Sequence, residues 1–161
     1  MDHLWNPWRY KYVTSGEKPP GCVFCHILKG NDDKASYIVL RAQHNFVVLN
    51  LYPYTSGHLL IVPYIHESSL AALDDPTTTE MMSLVKRSQR ILEGSYKPDG
   101  FNIGLNLGSS AGASVAEHVH MHVVPRWNGD SNFVSVIGET RMLPEGLDSS
   151  FNRLEKLFQE K

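Results

Sequence analysis

Glu117-His118-Val119-His120-Met121-His122-Val123-Val124 alternates strictly between imidazole and apolar side chains. In an extended strand successive side chains point to opposite faces. His118, His120 and His122 therefore share one face, and Val119, Met121 and Val123 share the other. The apolar set can enter a core while three imidazoles line a site. Strand propensity does not select histidine, so a merely polar strand face is a poor account of three on one face. Two chemistries stay open on these residues alone. Alternate histidines suit a Zn²⁺ site, and an aligned imidazole suits nucleophilic catalysis.

The flanking sequence supplies a scaffold. Residues 36–40 and 46–49 are β-branched and apolar runs separated by polar residues, which reads as a hairpin. Tyr52-Pro53-Tyr54-Thr55-Ser56-Gly57 is turn chemistry, and 58–62 is a short apolar strand that stops at Pro63. Residues 101–107 and 118–124 complete an antiparallel sheet of about five strands, with the Gly- and Ser-rich segment 108–114 between them. Met81, Leu84, Val85, Ser88, Ile91 and Leu92 lie on one face of a helix predicted over 77–93. Thr77 with Glu80 offers a capping box, and Gly94 a stop. A shorter helix is expected within 66–73, and Phe151, Leu154, Leu157 and Phe158 predict a closing amphipathic helix. The sum is an α+β domain, an antiparallel sheet with one long helix across one face.

The chain has 161 residues, 42% hydrophobic and 20% charged, the composition of a single globular domain and not of a disordered segment. It divides into an irregular aromatic arm (1–20, with Trp5, Trp8, Tyr10 and Tyr12), a core (21–127) and a C-terminal extension (128–161). The rings of the arm need a wall to pack on, in this subunit or another. Fifteen basic and 17 acidic residues give a net charge of −2, and the basic ones are scattered. Neither nucleic acid nor a membrane is expected as a partner. Met1-Asp2-His3-Leu4-Trp5-Asn6-Pro7-Trp8 does not read as a secretory signal. The two cysteines, Cys22 and Cys25, are three apart. That spacing suggests metal or redox chemistry in a reducing compartment, so a cytoplasmic location is expected.

The His-apolar-His-apolar-His run followed by two apolar residues resembles the signature of the histidine triad (HIT) family of nucleotide hydrolases and transferases. Leu49-Asn50, then Ser56-Gly57-His58-Leu59-Leu60-Ile61-Val62-Pro63 with His66 just after, resembles the family's first half-site. Asn106 and Ala111-Gly112 stand at the expected places before the triad. The resemblance covers roughly 22–127. Trp5-Asn6-Pro7-Trp8-Arg9-Tyr10, residues 108–117, Pro125-Arg126-Trp127-Asn128-Gly129-Asp130-Ser131-Asn132-Phe133 and Glu139-Thr140-Arg141-Met142-Leu143-Pro144-Glu145 are similar to the diadenosine tetraphosphate phosphorylase branch. Five residues separate Gly112 from the first triad histidine, against four in the family's hydrolases. Ala113 stands where the branch usually has Gly.

The resemblance implies that His120 is the nucleophile, with His122, His118 and His58 completing the catalytic set. It implies that Asn50 holds the ribose and that Asn106 lies beside the scissile phosphate. The small and hydroxyl residues of 108–114, among them Gly112, Ala113 and Ser114, suit a cradle for an incoming anion, and a flexible Gly/Ser loop is the other reading. Trp127 is expected to exclude water or stack on adenine. The expected activity is phosphorolysis of diadenosine tetraphosphate to ATP and ADP, with inorganic phosphate as acceptor. The alternative is hydrolysis of dinucleoside polyphosphates or nucleoside phosphoramidates to AMP. A binding module without turnover is a further alternative, disfavoured by the intact histidines, and a zinc-stabilised scaffold whose aromatic arm is a docking surface is another. Cys22 and Cys25 with His66 and His118 form the Cys₂His₂ set that related proteins use for structural zinc; two buried thiols are the other reading. No organic cofactor is expected. A homodimer is expected, and the aromatic arm allows a tetramer.

Overall fold

The computed structural model describes residues 21–130 and 145–160. The aromatic arm and the matches over 131–144 lie outside the described residues. Five strands, β1 (Ile38–Arg41), β2 (Asn45–Leu49), β3 (Leu59–Pro63), β4 (Gly100–Leu105) and β5 (Met121–Arg126), form one sheet in the order β1-β2-β3-β5-β4. All neighbours are antiparallel. Among the described residues three α-helices accompany it: α1 (Val23–Lys29), α2 (Asp75–Tyr96) and α3 (Leu147–Gln159). No helix among the described residues is long and apolar enough to cross a membrane.

Every residue of β2 and β3 is buried because both faces of the sheet are covered there. Val47, Leu49, Leu59 and Ile61 join Met81, Leu84, Val85 and Leu92 of α2 and Phe151, Leu154 and Phe158 of α3 in the larger core. Phe46, Val48, Leu60 and Val62 pack on the opposite face with Cys22 and Phe24, at and just inside the start of α1. The long helix over one face is thus where its apolar stripe predicts, and α3 closes the same side. Helix α1 was not expected. Val23, Phe24, Ile27 and Leu28 carry a helical spacing, but seven residues give too short a pattern to stand out beside a Cys-x-x-Cys pair.

Several boundaries differ from the expectation. Helix α2 begins at Asp75, capped by Asp74, whose Oδ1 accepts from the Thr77 amide at 2.9 Å. Thr77 is therefore inside the first turn and buried. Glu80 does not close a capping box. It accepts instead from the amides of Gln43, His44 and Asn45 at 2.8–2.9 Å, and holds the β1–β2 turn against the helix. Gly94 does not stop α2; the helix runs to Tyr96, and Lys97 caps it in the left-handed region at φ 48°. Residues 66–73 hold only a 3₁₀ turn, Leu70–Ala72. Strand β4 ends at Leu105, short of 107.

The triad strand is also shorter than predicted. Its ladder starts at Met121, not at residue 118. Pro63 has no amide to donate, and its carbonyl accepts from His118 Nε2 at 2.9 Å, so the β3–β5 ladder cannot extend. The Val119 amide turns to the Glu67 carbonyl at 2.7 Å. The alternation survives all the same: Val119, Met121 and Val123 are in the core with α2.

Candidate active site

Four histidines occupy the α1 side of the sheet, and hydrogen bonds to groups with one possible role fix how each ring is protonated. The Tyr54 amide can only donate, and it lies 3.1 Å from His58 Nδ1. Neutral His58 therefore carries its proton on Nε2. That atom is 2.9 Å from His122 Nδ1, so His58 donates to His122, and His122 carries its own proton on Nε2. His122 Nε2 is buried with no hydrogen-bond partner. A buried donor left unpaired costs about 1–3 kcal/mol, so this atom is poised for an acceptor that arrives with a ligand.

His120 is set the opposite way. Its Nδ1 lies 2.8 Å from the His118 carbonyl, which can only accept. The proton is on Nδ1, and Nε2 keeps its lone pair. The rings of His120 and His122 are 5.0 Å apart between centroids. A lone pair on one and an orphaned N–H on the other thus stand side by side, the requirement for attack at a phosphorus whose oxygens need a donor. Burial holds His120 below the ordinary histidine pKa, opposed by the His118 carbonyl. Burial, with His120 beside it, pushes His122 down to about 4. Both rings are neutral near pH 7.

His118 belongs to a different cluster. With Nε2 donating to Pro63, its Nδ1 offers a lone pair 3.3 Å from Cys22 Sγ and 3.7 Å from Cys25 Sγ. Cys25 Sγ is 3.3 Å from His66 Nδ1. Donor atoms of Cys22, Cys25, His66 and His118 all lie within 4.8 Å of one another. Tetrahedral zinc with bonds of about 2.0–2.1 Å to nitrogen and 2.3 Å to sulfur needs donors roughly 3.3–3.8 Å apart, and the set fits a metal of that kind. Burial, then Cys22 beside it, raises the Cys25 thiol above its ordinary value. Both nitrogens of His118 are engaged, and its carbonyl holds the His120 ring.

Asn50 lies at the end of β2. Its Nδ2 is 3.3 Å from His58 Nδ1, and its Oδ1 accepts from the Tyr52 amide at 2.9 Å. Asn106 follows β4, half-buried. In the 108–114 segment the amides of Ala111, Gly112 and Ala113 turn inward to the carbonyls of Gly108 and Ser109. Ser114, which follows them, is exposed. Trp127 is half-buried in a turn whose amide donates to Asp130. The sequence reading missed two contributors. Tyr54 sets the His58 tautomer, and its ring stacks on His122 at an interplanar angle of 5°. Phe24 packs on His118 and His120, at 5.4 and 5.0 Å between centroids. The residues that could have revealed Phe24 are those of the short apolar spacing of α1.

An α+β domain whose sheet carries three alternating histidines and a fourth from the neighbouring strand on one face has the build of a nucleotide-processing histidine triad protein. The HIT domain family model matches residues 31–129, and the chain belongs to the HIT family. Its sequence is 40% identical over 153 residues to an AP-4-A phosphorylase of Mycobacterium tuberculosis, covering 90% of this chain and 78% of the relative. An adenosine 5′-monophosphoramidase of Saccharomyces cerevisiae is 29% identical over 139 residues, with 86% and 79% covered. Among solved structures, a Zn-bound histidine triad family protein from Mycobacterium smegmatis superposes with a TM-score of 0.70 at 30% identity. It covers 87% of this chain and 94% of that one.

Proposed function

We propose that the protein cleaves diadenosine tetraphosphate by phosphorolysis, through an adenylyl group carried on His120. The observation that carries the nucleotidyl transfer is the hydrogen bond from His120 Nδ1 to the His118 carbonyl, which aims the Nε2 lone pair at the site. Attack by Nε2 at the α-phosphorus forms the N–P bond and breaks the P–O bond to the leaving ATP. The imidazole becomes cationic as it does so, and the His118 carbonyl holds its Nδ1 proton more strongly. His122 Nε2–H donates to a phosphoryl oxygen, and His58 holds His122 in the tautomer that allows it. An oxygen of inorganic phosphate then attacks the same phosphorus, the N–P bond breaks, ADP leaves and His120 returns to its neutral form.

The choice of phosphate over water as acceptor is supported by the 40% identical phosphorylase relative and by the longer loop that carries Ser114. Asn50, Asn106 and Trp127 are proposed to contact the nucleotide. Cys22, Cys25, His66 and His118 are proposed to hold one structural Zn²⁺, which would fix the segment at the start of α1 and the ring that braces His120. The protein is proposed to be cytoplasmic and to work as a homodimer.

Turnover in labelled inorganic phosphate tests the reading. Label in the β-position of ADP is expected. AMP as the main product, indifferent to phosphate, would mark the hydrolase or phosphoramidase alternative, for which the yeast relative stands. His120→Ala is expected to lose turnover by about 10⁴-fold or more, because no neighbouring group can replace the attacking nitrogen. Turnover near the wild-type level in that variant would end the nucleophile assignment.

A further inference from the structure

Tyr96, the last residue of α2, is remote from the reacting atoms, yet polar groups of the C-terminal segment converge on it. Its hydroxyl donates to Glu145 Oε2. Ser150 Oγ donates to the same oxygen at 2.9 Å. Arg153 pairs with Glu145 Oε1 at 2.8 Å, and its guanidinium carbon stands 4.9 Å from the centroid of the Tyr96 ring. Burial, then Glu145, pushes the Tyr96 hydroxyl up to about 12, so it remains a donor at neutral pH. Helix α3 is already held by Phe151, Leu154 and Phe158, each almost wholly buried. The clasp is thus more than apolar packing requires, and it immobilises one ring.

The ring bears on Gly57. A Cβ at Gly57 would stand 3.3 Å from Tyr96 Cε2 and 3.0 Å from Leu92 Cδ2, and Gly57 has φ +77°. The backbone there rests close on α2, where a Cβ would press on both side chains, and in a conformation that favours glycine. The next residue is His58, whose carbonyl accepts from the Asn50 amide at 3.0 Å and whose Nε2 donates to His122 at 2.9 Å. Thr55 Oγ1 ties the same turn to the Pro125 carbonyl at 2.8 Å. A shift of Gly57 on the α2 surface therefore moves the His58 ring relative to His122.

We propose that Tyr96, clamped by Glu145, Ser150 and Arg153, is a positioning residue for His58, acting through Gly57, and that the C-terminal helix is in this way coupled to the active site. The kinetic consequence rests on the catalytic reading of the His58–His122 pair; the structural one does not.

The full chain labelled with ¹⁵N allows both to be read. Imidazole nitrogen–proton correlations report the tautomers and the hydrogen bond of His58 and His122 directly. Tyr96→Phe keeps the ring and removes the link to Glu145, and Glu145→Ala keeps the ring and removes its anchor. In both variants the His58 and His122 resonances are expected to move while those of His44 stay. kcat is expected to fall roughly tenfold with KM held within about twofold, since misplacement of a reacting group costs the chemical step more than binding. Folded variants with His58 and His122 unmoved would overturn the proposal. Moved resonances with unchanged kcat would support the positioning and overturn the catalytic reading of His58.

Discussion

A histidine ring has two nitrogens, and its chemistry depends on which one holds the proton. In this site each assignment comes from a partner that cannot change roles: a backbone amide for His58, a backbone carbonyl for His120 and another for His118. The same burial that makes the rings neutral links them to stability. Unfolded, His122 takes up a proton near its ordinary value of about 6.5; folded, it does so only near 4. Between those values the unfolded chain binds more protons, so this contribution is complete above about pH 6.5 and is lost as pH falls toward 4. Urea midpoints are expected to decline across that window, and more weakly in His122→Asn, which has no proton to take up. An equal decline in both would show that other groups govern the acid limit. At this scale the sequence was highly legible: the alternation of His118, His120 and His122 displays its faces directly. The tautomers were not legible, because the groups that fix them, the Tyr54 amide and the Pro63 and His118 carbonyls, belong to the backbone and carry no residue signature.

Elements made of long periodic runs were read well and those made of short ones poorly. Helix α2 declares itself by six positions on one face, whereas α1 has seven residues in all and was missed. The Glu80 side chain shows why a local motif can mislead. Beside Thr77 it imitates a capping box, but three unpaired amides in the β1–β2 turn compete for the carboxylate and win. Burial works against its charged form, yet the donors from Asn45, His44 and Gln43 outweigh that and hold its pKa below the ordinary value. Helix α1 is short for independent stability, so its position depends on Phe24 and on the cluster at Cys22 and Cys25. Protein purified without chelator is expected to carry about one zinc per chain. Stripping it is expected to lower the melting temperature by roughly 10 °C, the effect of a few kcal/mol on a domain of this size. The Cys22 and Cys25 thiols should become reactive to alkylation at the same time. Absence of metal from such a preparation, or thiols equally reactive with and without chelator, would reduce the cysteines to ordinary core residues.

At the scale of the whole molecule, the described residues leave the sheet with two edges, β1 and β4, and these are treated differently. Strand β1 is four residues long, is bulged between Ile38 and Leu40, and ends in Arg41, which is paired with Asp33. Tyr37, just before it, donates to Asp148 at the start of α3. Short length, a bulge and charge are the means by which proteins protect an edge from further pairing. Strand β4 has none of them. It is six residues long, keeps continuous register with β5, and exposes Asn102, Ile103 and Gly104. Ile103 is 42% exposed, and Met82 on α2 is 51% exposed. An open edge with exposed apolar side chains fits a second copy of the same strand, and a two-fold axis would let β4 pair with itself and double the five-stranded sheet. Neither the strand order that creates this edge nor its exposure is legible in the sequence, since 100–105 reads like any half-buried strand. Sedimentation equilibrium of the full chain at micromolar concentration is expected to give twice the 18.1 kDa subunit mass. Ile103→Lys is expected to move the equilibrium toward monomer, because an edge lysine opposes pairing and the like charge meets itself across the axis. A wild-type mass of one subunit, or a dimer indifferent to Ile103→Lys and to Ile103→Pro, would place the contact away from this edge.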